Sequence, residues 1–473
     1  LTYIIFPGIS MSEQQNVTKM FIPKMRFVVG LASFLLAGSL SSYAYGQSKT
    51  QHLTQKDYSP QSINDASLNS LRTSTVPQKQ SLTNSILTLN SNISIPTTSS
   101  NQNSYTSCHT PSINKFKNNL YQPQLISQAY RVIDELKKYQ YTINGNKLFS
   151  PAQLPRSNRI SFNQKDLLAT LINTRQYYQD HWDDDPNISR PGVLSTQGVT
   201  VQDVLKTLDV MIIVLQEDIA NNRPTRLQDP NFINSNFRVI KWSASNPKQP
   251  RRKNLRITKY AVFVHPGSRK KTAKFNVPLY SLQETPLTDK FYTKYSKQDV
   301  LSGIYEPGGK EHGKVKPIVY MTREGLEEAL MQGTILVDLG GGSSAYFNVD
   351  RSNEVPYVIG INRRSQKRYW YFKEVKDIKG YGYKIDEKIS IKSGVTFAGD
   401  VLNVGLGRMV VIEYMKNGRR HLRMGVIADT GGAFLPNFYQ LDYLAGIFKS
   451  QASFNRYIKQ LPTYATAYIL IKK

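Results

Sequence analysis

The chain has 473 residues, a hydrophobic fraction of 40% and a formal net charge of +27. Its length leaves room for two or three folded domains, and the charge points to anionic surroundings such as nucleic acid, a membrane surface or a cell-wall polymer. Cys108 is the only cysteine, which excludes an internal disulfide and any multi-cysteine metal site.

Lys19, Lys24 and Arg26 precede an apolar run, Phe27 to Gly38, and Ala44-Tyr45-Gly46 then supplies small residues at a cleavage spacing. This is the three-part anatomy of a secretory signal peptide. The apolar core is short for a membrane span; an uncleaved anchor is the alternative. Residues 1–46 are therefore expected to be a signal peptide with an upstream extension, with Met11, Met20 or Met25 as candidate starts. Export to the periplasm or cell envelope is expected, without a stable membrane span after cleavage. Nucleic acid is disfavoured as a partner for an exported chain. No cysteine stands just after the signal core, so a lipid-modified terminus is not supported.

Residues 47–118 are dominated by Ser, Thr, Asn and Gln. Such a stretch buries too little apolar surface to offset its ordering entropy, and a disordered tether is expected. Residues 119–235 read as a helical region. Leu125, Ala129, Ile133 and Leu136 repeat at helical steps, Asp166 to Tyr178 does the same, and Thr200 with Asp203 opens a helix marked by Val201, Val204, Leu205, Leu208, Ile212 and Leu215. His181-Trp182-Asp183-Asp184-Asp185-Pro186 collects possible ligand atoms, but neighbouring acids diverge and no second cluster is visible. It reads as a solvated turn, and neither a metal nor a cofactor is expected.

Residues 236–473 read as strand-rich. Arg251, Arg252, Lys253, Arg256 and Lys259 open a basic run, read either as a solvated surface or as a guide for an anionic polymer. Thr322 to Gly333 reads as a short capped helix. Gly340-Gly341-Gly342 is a loop without the lysine and spacing of a nucleotide-binding loop. No nucleophile elbow accompanies the scattered His265, His312 and His421.

The stretch Gly394 to Gly446 carries Asp400, Asp429 and Asp442. Met409 to Ile412 and Met424 to Ala428 read as buried strands, joined through the tight-turn signal Asn417-Gly418. Asp429 is then expected at a strand end, entering Thr430-Gly431-Gly432, where backbone N–H groups hold it ionised and the glycines admit a ligand. Asp442 lies in a more apolar setting, Leu441-Asp442-Tyr443-Leu444. A half-buried carboxyl near other acids is driven toward its protonated form, as a general acid at neutral pH requires. The structural alternative is that each acid caps a turn or pairs with an arginine such as Arg408.

Ala398-Gly399-Asp400 through Val410, Ala428-Asp429-Thr430-Gly431-Gly432-Ala433-Phe434 and Gln440 to Gly446 together resemble the three-aspartate domain of the murein lytic transglycosylase A family. Asn353 to Tyr357, Gly267-Ser268-Arg269 and Pro278-Leu279-Tyr280 resemble further family elements. The match covers roughly residues 256–473. It departs where Lys259-Tyr260-Ala261-Val262 replaces a Gly-Tyr-Tyr-Glu-Pro motif, where glycines 340–342 replace Gln-Gly-Ser-Gly, and at Val404, where a proline is usual. The resemblance implies a double-psi β-barrel, a second, smaller β domain and a groove between them. It implies cleavage of the β-1,4 bond between N-acetylmuramic acid and N-acetylglucosamine in peptidoglycan, leaving 1,6-anhydro ends. Asp442 would be the acid, with Asp429 and Asp400 tuning it. Thr430, Gly431, Gly432, Asn353 and Tyr357 would position the sugar. The rival readings are a non-catalytic wall-binding module, and a hydrolase using Asp429 as its second carboxylate.

Overall fold

A computed structural model describes residues 127–134 and 141–473, apart from 157, 283–289, 359, 383 and 435. The expected signal peptide and tether lie outside the described residues. The chain divides into two units, and every described residue belongs to the one that includes Gln122–Lys473.

Its first described elements are strands β1 (Ala129–Arg131) and β2 (Thr142–Asn144), helix α1 (Gly145–Leu148) and strands β3 (Phe149–Ala152) and β4 (Ile160–Ser161). The helical reading at Ala129 and Ile133 is corrected here: β1 pairs antiparallel with β2, Tyr130 opposite Ile143. Tertiary pairing overrides the spacing, because the Asn403 side chain takes up both the N–H and the carbonyl of Ile133. The next two helices match the sequence reading. Helix α2 (Gln164–Asp180) starts on Asn163, and α3 (Val201–Ala220) on a Thr200–Asp203 capping box. A shorter helix, α4 (Pro230–Asn236), follows.

From Phe237 the chain is mainly strands. They are β5 (Phe237–Trp242), β6 (Leu255–Ser268) and β7 (Val277–Leu282), then, after helix α5 (Lys297–Leu301), β8 (Val315–Met321). Helix α6 (Arg323–Ala329) is capped by Thr322 as expected but stops short of Gly333. Strands β9 (Thr334–Gly340), β10 (Ser343–Ser352), β11 (Trp370–Val375), β12 (Thr396–Ala398), β13 (Met409–Lys416), β14 (Arg419–Asp429) and β15 (Gln440–Phe448) come next. Helix α7 (Gln451–Ile458) and strand β16 (Tyr464–Lys472) end the chain.

Six strands pair in a closed ring. Strand β6 pairs parallel with β15, β15 antiparallel with β12, β12 parallel with β14, β14 antiparallel with β13, β13 antiparallel with β16, and β16 returns to β6. The apolar runs in β13 and β14 are buried residue after residue, so both faces are covered. The cover on one side includes α2 and α3: Tyr178 donates to the Leu406 carbonyl at 2.8 Å, and Thr207 accepts from Lys472 N–H. The β13–β14 hairpin turns on Asn417 and Gly418, both at positive φ, as its sequence requires.

Strand β6 is the hinge of the architecture in the sense of connectivity. Its first half lies in the ring, while Val264 to Pro266 pair with β9 and Gly267 and Ser268 with β8. Around β7 to β11 a second hydrophobic core forms, rich in tyrosines and containing Phe347, Trp370 and Phe372. No helix among the described residues is long and apolar enough to cross a membrane.

Candidate active site

The ring brings two of the three aspartates together. Ala398, the last residue of β12, is opposite Asp429 of β14 on one side and Asp442 of β15 on the other. Two strand spacings separate the backbones, roughly 10 Å. Across β15 from Ala398, Asp442 is opposite Thr258 of β6.

Asp442 is more deeply buried than the expected half-burial: 5% of its surface remains open. It is walled by central strands on both sides. One carboxylate oxygen, Oδ1, has no hydrogen-bond partner among the described residues. Burial pushes its pKa up to about 7; Asp429 adds to the rise, while Thr258, Lys259 and Arg256 oppose it. Asp429 accepts the Tyr260 hydroxyl at 2.7 Å and the Thr430 N–H at 2.8 Å. These donors, with Lys388 nearby, oppose burial, which nonetheless raises the Asp429 pKa to about 6. Burial thus raises both acids, Asp442 and Asp429. The expected backbone donor is also present, but burial outweighs it.

Asp400 is set apart by its hydrogen bonds. It is fully buried, and accepts the Asn403 N–H at 2.9 Å, the Asn403 amide and the Asn437 N–H at 2.8 Å. Burial still raises its pKa to about 7. Arg408 does not pair with it: that guanidinium donates to the carbonyls of Leu406 and Pro191 at 2.7 and 2.8 Å. Gly405, at φ +109°, leaves the room, since a Cβ there would stand 2.3 Å from the guanidinium carbon.

Thr430 donates its hydroxyl to the Gly399 carbonyl at 2.8 Å, and Gly431 and Gly432 remain partly exposed beside it. Asn353 belongs to the second core. It is buried, its amide donates to the carbonyls of Tyr295 and Lys367, and its oxygen accepts from Tyr369 N–H. It braces the loop that carries the partly exposed Tyr357, against which Arg368 stacks.

No protein-family model matches the chain, and no curated protein does. Solved structures do match. One is MltA from Escherichia coli with bound chitohexaose, at 15% identity and a TM-score of 0.43, covering 69% of this chain and 94% of that one. Another is a membrane-bound lytic murein transglycosylase from Agrobacterium tumefaciens, at 14% and 0.46, covering 69% and 98%. MltA from Neisseria gonorrhoeae matches at 13% and 0.43, covering 68% and 97%. The fold is similar to these.

Sequence reasoning missed the groups that surround the two acids. Thr258 and Tyr260 come from β6, more than 160 residues earlier in the chain. Tyr260 stands in the stretch that departs from the family motif, so no motif signalled it. The turn expected at His181 to Asp185 forms, with Trp182, Asp183 and Asp184 exposed and His181 and Asp185 buried. Glu387 joins His181 and Asp184, their candidate ligand atoms lying within 4.8 Å of one another. These are the described residues that could hold a metal. His181 Nδ1 lies 3.0 Å from Asp184, and both carboxylates are exposed.

The carboxyls at 400, 429 and 442 all have raised pKa values, which fixes a sign for stability. A buried acid whose folded pKa exceeds its unfolded value binds its proton more tightly when folded. Its contribution is complete below about pH 4 and is lost as pH rises through about 6 to 7. Thermal unfolding followed from pH 4 to 8 is expected to show that loss, and Asp442→Asn to make the slope shallower.

Proposed function

We propose that the chain is a peptidoglycan lytic transglycosylase, cleaving between N-acetylmuramic acid and N-acetylglucosamine. The observation that carries this reading is Asp442: a buried carboxyl beside a second acid, with one oxygen unpartnered and a pKa of about 7. Such a group holds its proton near neutral pH and can give it to a glycosidic oxygen. As the bond breaks, positive charge develops at the anomeric carbon. The muramic acid's own 6-hydroxyl attacks that carbon, and the Asp442 carboxylate takes the hydroxyl's proton. The proton account closes on one residue, and the product ends in a 1,6-anhydro ring.

Asp429, which accepts the Tyr260 hydroxyl and the Thr430 N–H, is the charged neighbour that keeps the Asp442 proton in place. Asp400 fixes the turn after β12 and positions Ala398 between the two acids. Thr430, Gly431 and Gly432 offer a partly open edge for the sugar. Tyr357 is a further candidate, held by Asn353. The six-stranded ring, with its parallel pairs β6–β15 and β12–β14, supports a double-psi β-barrel. The second core supports a smaller β domain, with the glycan in a groove between them. The glycan must reach the small open edge of Asp442. The basic, apolar and small-residue order of residues 19–46 supports export to the envelope.

The experiment is incubation of the purified chain with isolated sacculi, with mass spectrometry of the released fragments. Anhydro-muropeptides support the reading. Reducing-end fragments would favour a hydrolase, and no release would favour a wall-binding module.

A further inference from the structure

A second polar feature lies on the same strands as the acids. Where β6, β15 and β16 meet, a cavity of about 60 Å³ is lined by Arg252, Arg256, Asn246, Gln249, Asn254 and Tyr464 among others. That volume holds about four to six waters, enough for a carboxylate group and its hydration. Neither arginine forms a salt bridge among the described residues, although many other arginines do, including Arg175, Arg226 and Arg323; Arg256 acts on Asp442 only at longer range, lowering its pKa.

The Arg252 donor group and the backbone of Arg256 are held in place before any ligand arrives. The Arg252 guanidinium lies 3.9 Å from the centroid of the Tyr464 ring, which fixes its plane. The loop carrying it is closed by backbone bonds from Ala244 to Lys253 at 2.8 Å and from Arg252 to Gln249 at 3.0 Å. The Arg256 backbone is pinned at 2.8 Å to the Tyr439 carbonyl. A planar fork so positioned matches a carboxylate, and loses little entropy on binding one.

Register ties this cavity to the acid. Arg256 is opposite Gln440, and Thr258 is opposite Asp442. Residues two apart on a strand share a face, so Arg256 and the Asp442 pair are separated by one such step, roughly 7 Å along the strand.

We propose that the Arg252–Arg256 cavity is a binding site for a carboxylate carried by the glycan strand close to the bond that is cut. The site makes the protein selective for acidic, muramic-acid-bearing glycan over neutral polymers of N-acetylglucosamine. This rests on the glycan-cleaving reading above. The shared chemistry is a carboxylate, supplied either by the peptide side chain or by the lactyl group of a peptide-free muramic acid.

The test is calorimetric binding to the full chain carrying Asp442→Asn, so that no probe turns over. Four probes are used: a muramyl-peptide tetrasaccharide, the same molecule with its carboxylates amidated, its peptide-free form with lactyl carboxylates, and the N-acetylglucosamine hexamer. The acidic tetrasaccharide is expected to bind about tenfold more tightly than the amidated one. Arg252→Gln and Arg256→Gln should each narrow that gap while leaving the hexamer affinity unchanged, which keeps loss of fold out of the comparison. A gain only with the peptide-free form assigns the lactyl carboxylate, a gain only with the peptide assigns the side chain, and an equal gain shows that the site takes either. Equal binding of the acidic, amidated and peptide-free probes, or a preference that survives both substitutions, overturns the carboxylate site and leaves the glycan reading standing. Binding of no probe overturns both.

Discussion

Asp442→Asn is expected to cut the release of anhydro-muropeptides by about three orders of magnitude, while the chain stays folded and still binds glycan. General acid–base participation is commonly worth 10²- to 10⁴-fold, and here one group serves in both directions. The amide has nearly the carboxyl's shape but cannot donate a carboxylic proton or take one back. The substitution also removes a buried titratable group. Asp442 has its pKa raised to about 7 from 3.8, and each unit is worth about 1.4 kcal/mol between protonation states. The variant should therefore be more stable than the parent by up to about 4 kcal/mol well above pH 7, with no such gain below pH 4. In the parent, activity should fall as pH rises through about 7, because the donor form is lost. Quantified fragment release and thermal unfolding across that range check all three. An Asp442→Asn chain with undiminished release would show that the proton comes from elsewhere.

Asn403→Ala is expected to destabilise the chain by about 2–3 kcal/mol. Asn403 is fully buried and works in two directions. Its amide donates to the Ile133 carbonyl at 2.9 Å and to Asp400 at 2.9 Å, and its oxygen accepts the Ile133 N–H at 2.8 Å and the Tyr130 hydroxyl. Alanine leaves several of these groups without partners at once. Denaturant unfolding gives the magnitude, and hydrogen exchange at Ile133 should accelerate more than exchange in β13. Fragment release should fall less than for Asp442→Asn, because Asn403 acts only through the turn at Asp400.

The local part of this architecture is legible in the sequence. Asn417-Gly418 dictates its own hairpin, Thr200 and Asp203 cap α3, and the unbroken apolar runs at 409–412 and 424–428 are the buried strands. The end of β14 at Asp429 follows from the glycines beyond it. What escapes is set by distant pairing. Ala129 has helical spacing to Ile133 but lies in a strand, because β2 and Asn403 supply partners that no local pattern announces. Tyr260 and Thr258 reach the acids only because β6 runs parallel beside β15. Asn353 lies in a segment that resembles a binding element, yet folding commits its amide and oxygen to backbone groups. Glu387 meets His181 across two hundred residues, which spacing alone does not show.

In the proposed reaction one acid passes a proton out and back while the sugar's own hydroxyl replaces water. Cleavage of isolated sacculi in water enriched in heavy oxygen tests this most directly. Anhydro-ended fragments of unshifted mass are expected, because no solvent oxygen enters the product. Fragments that carry the heavy isotope at a newly formed reducing end would contradict it.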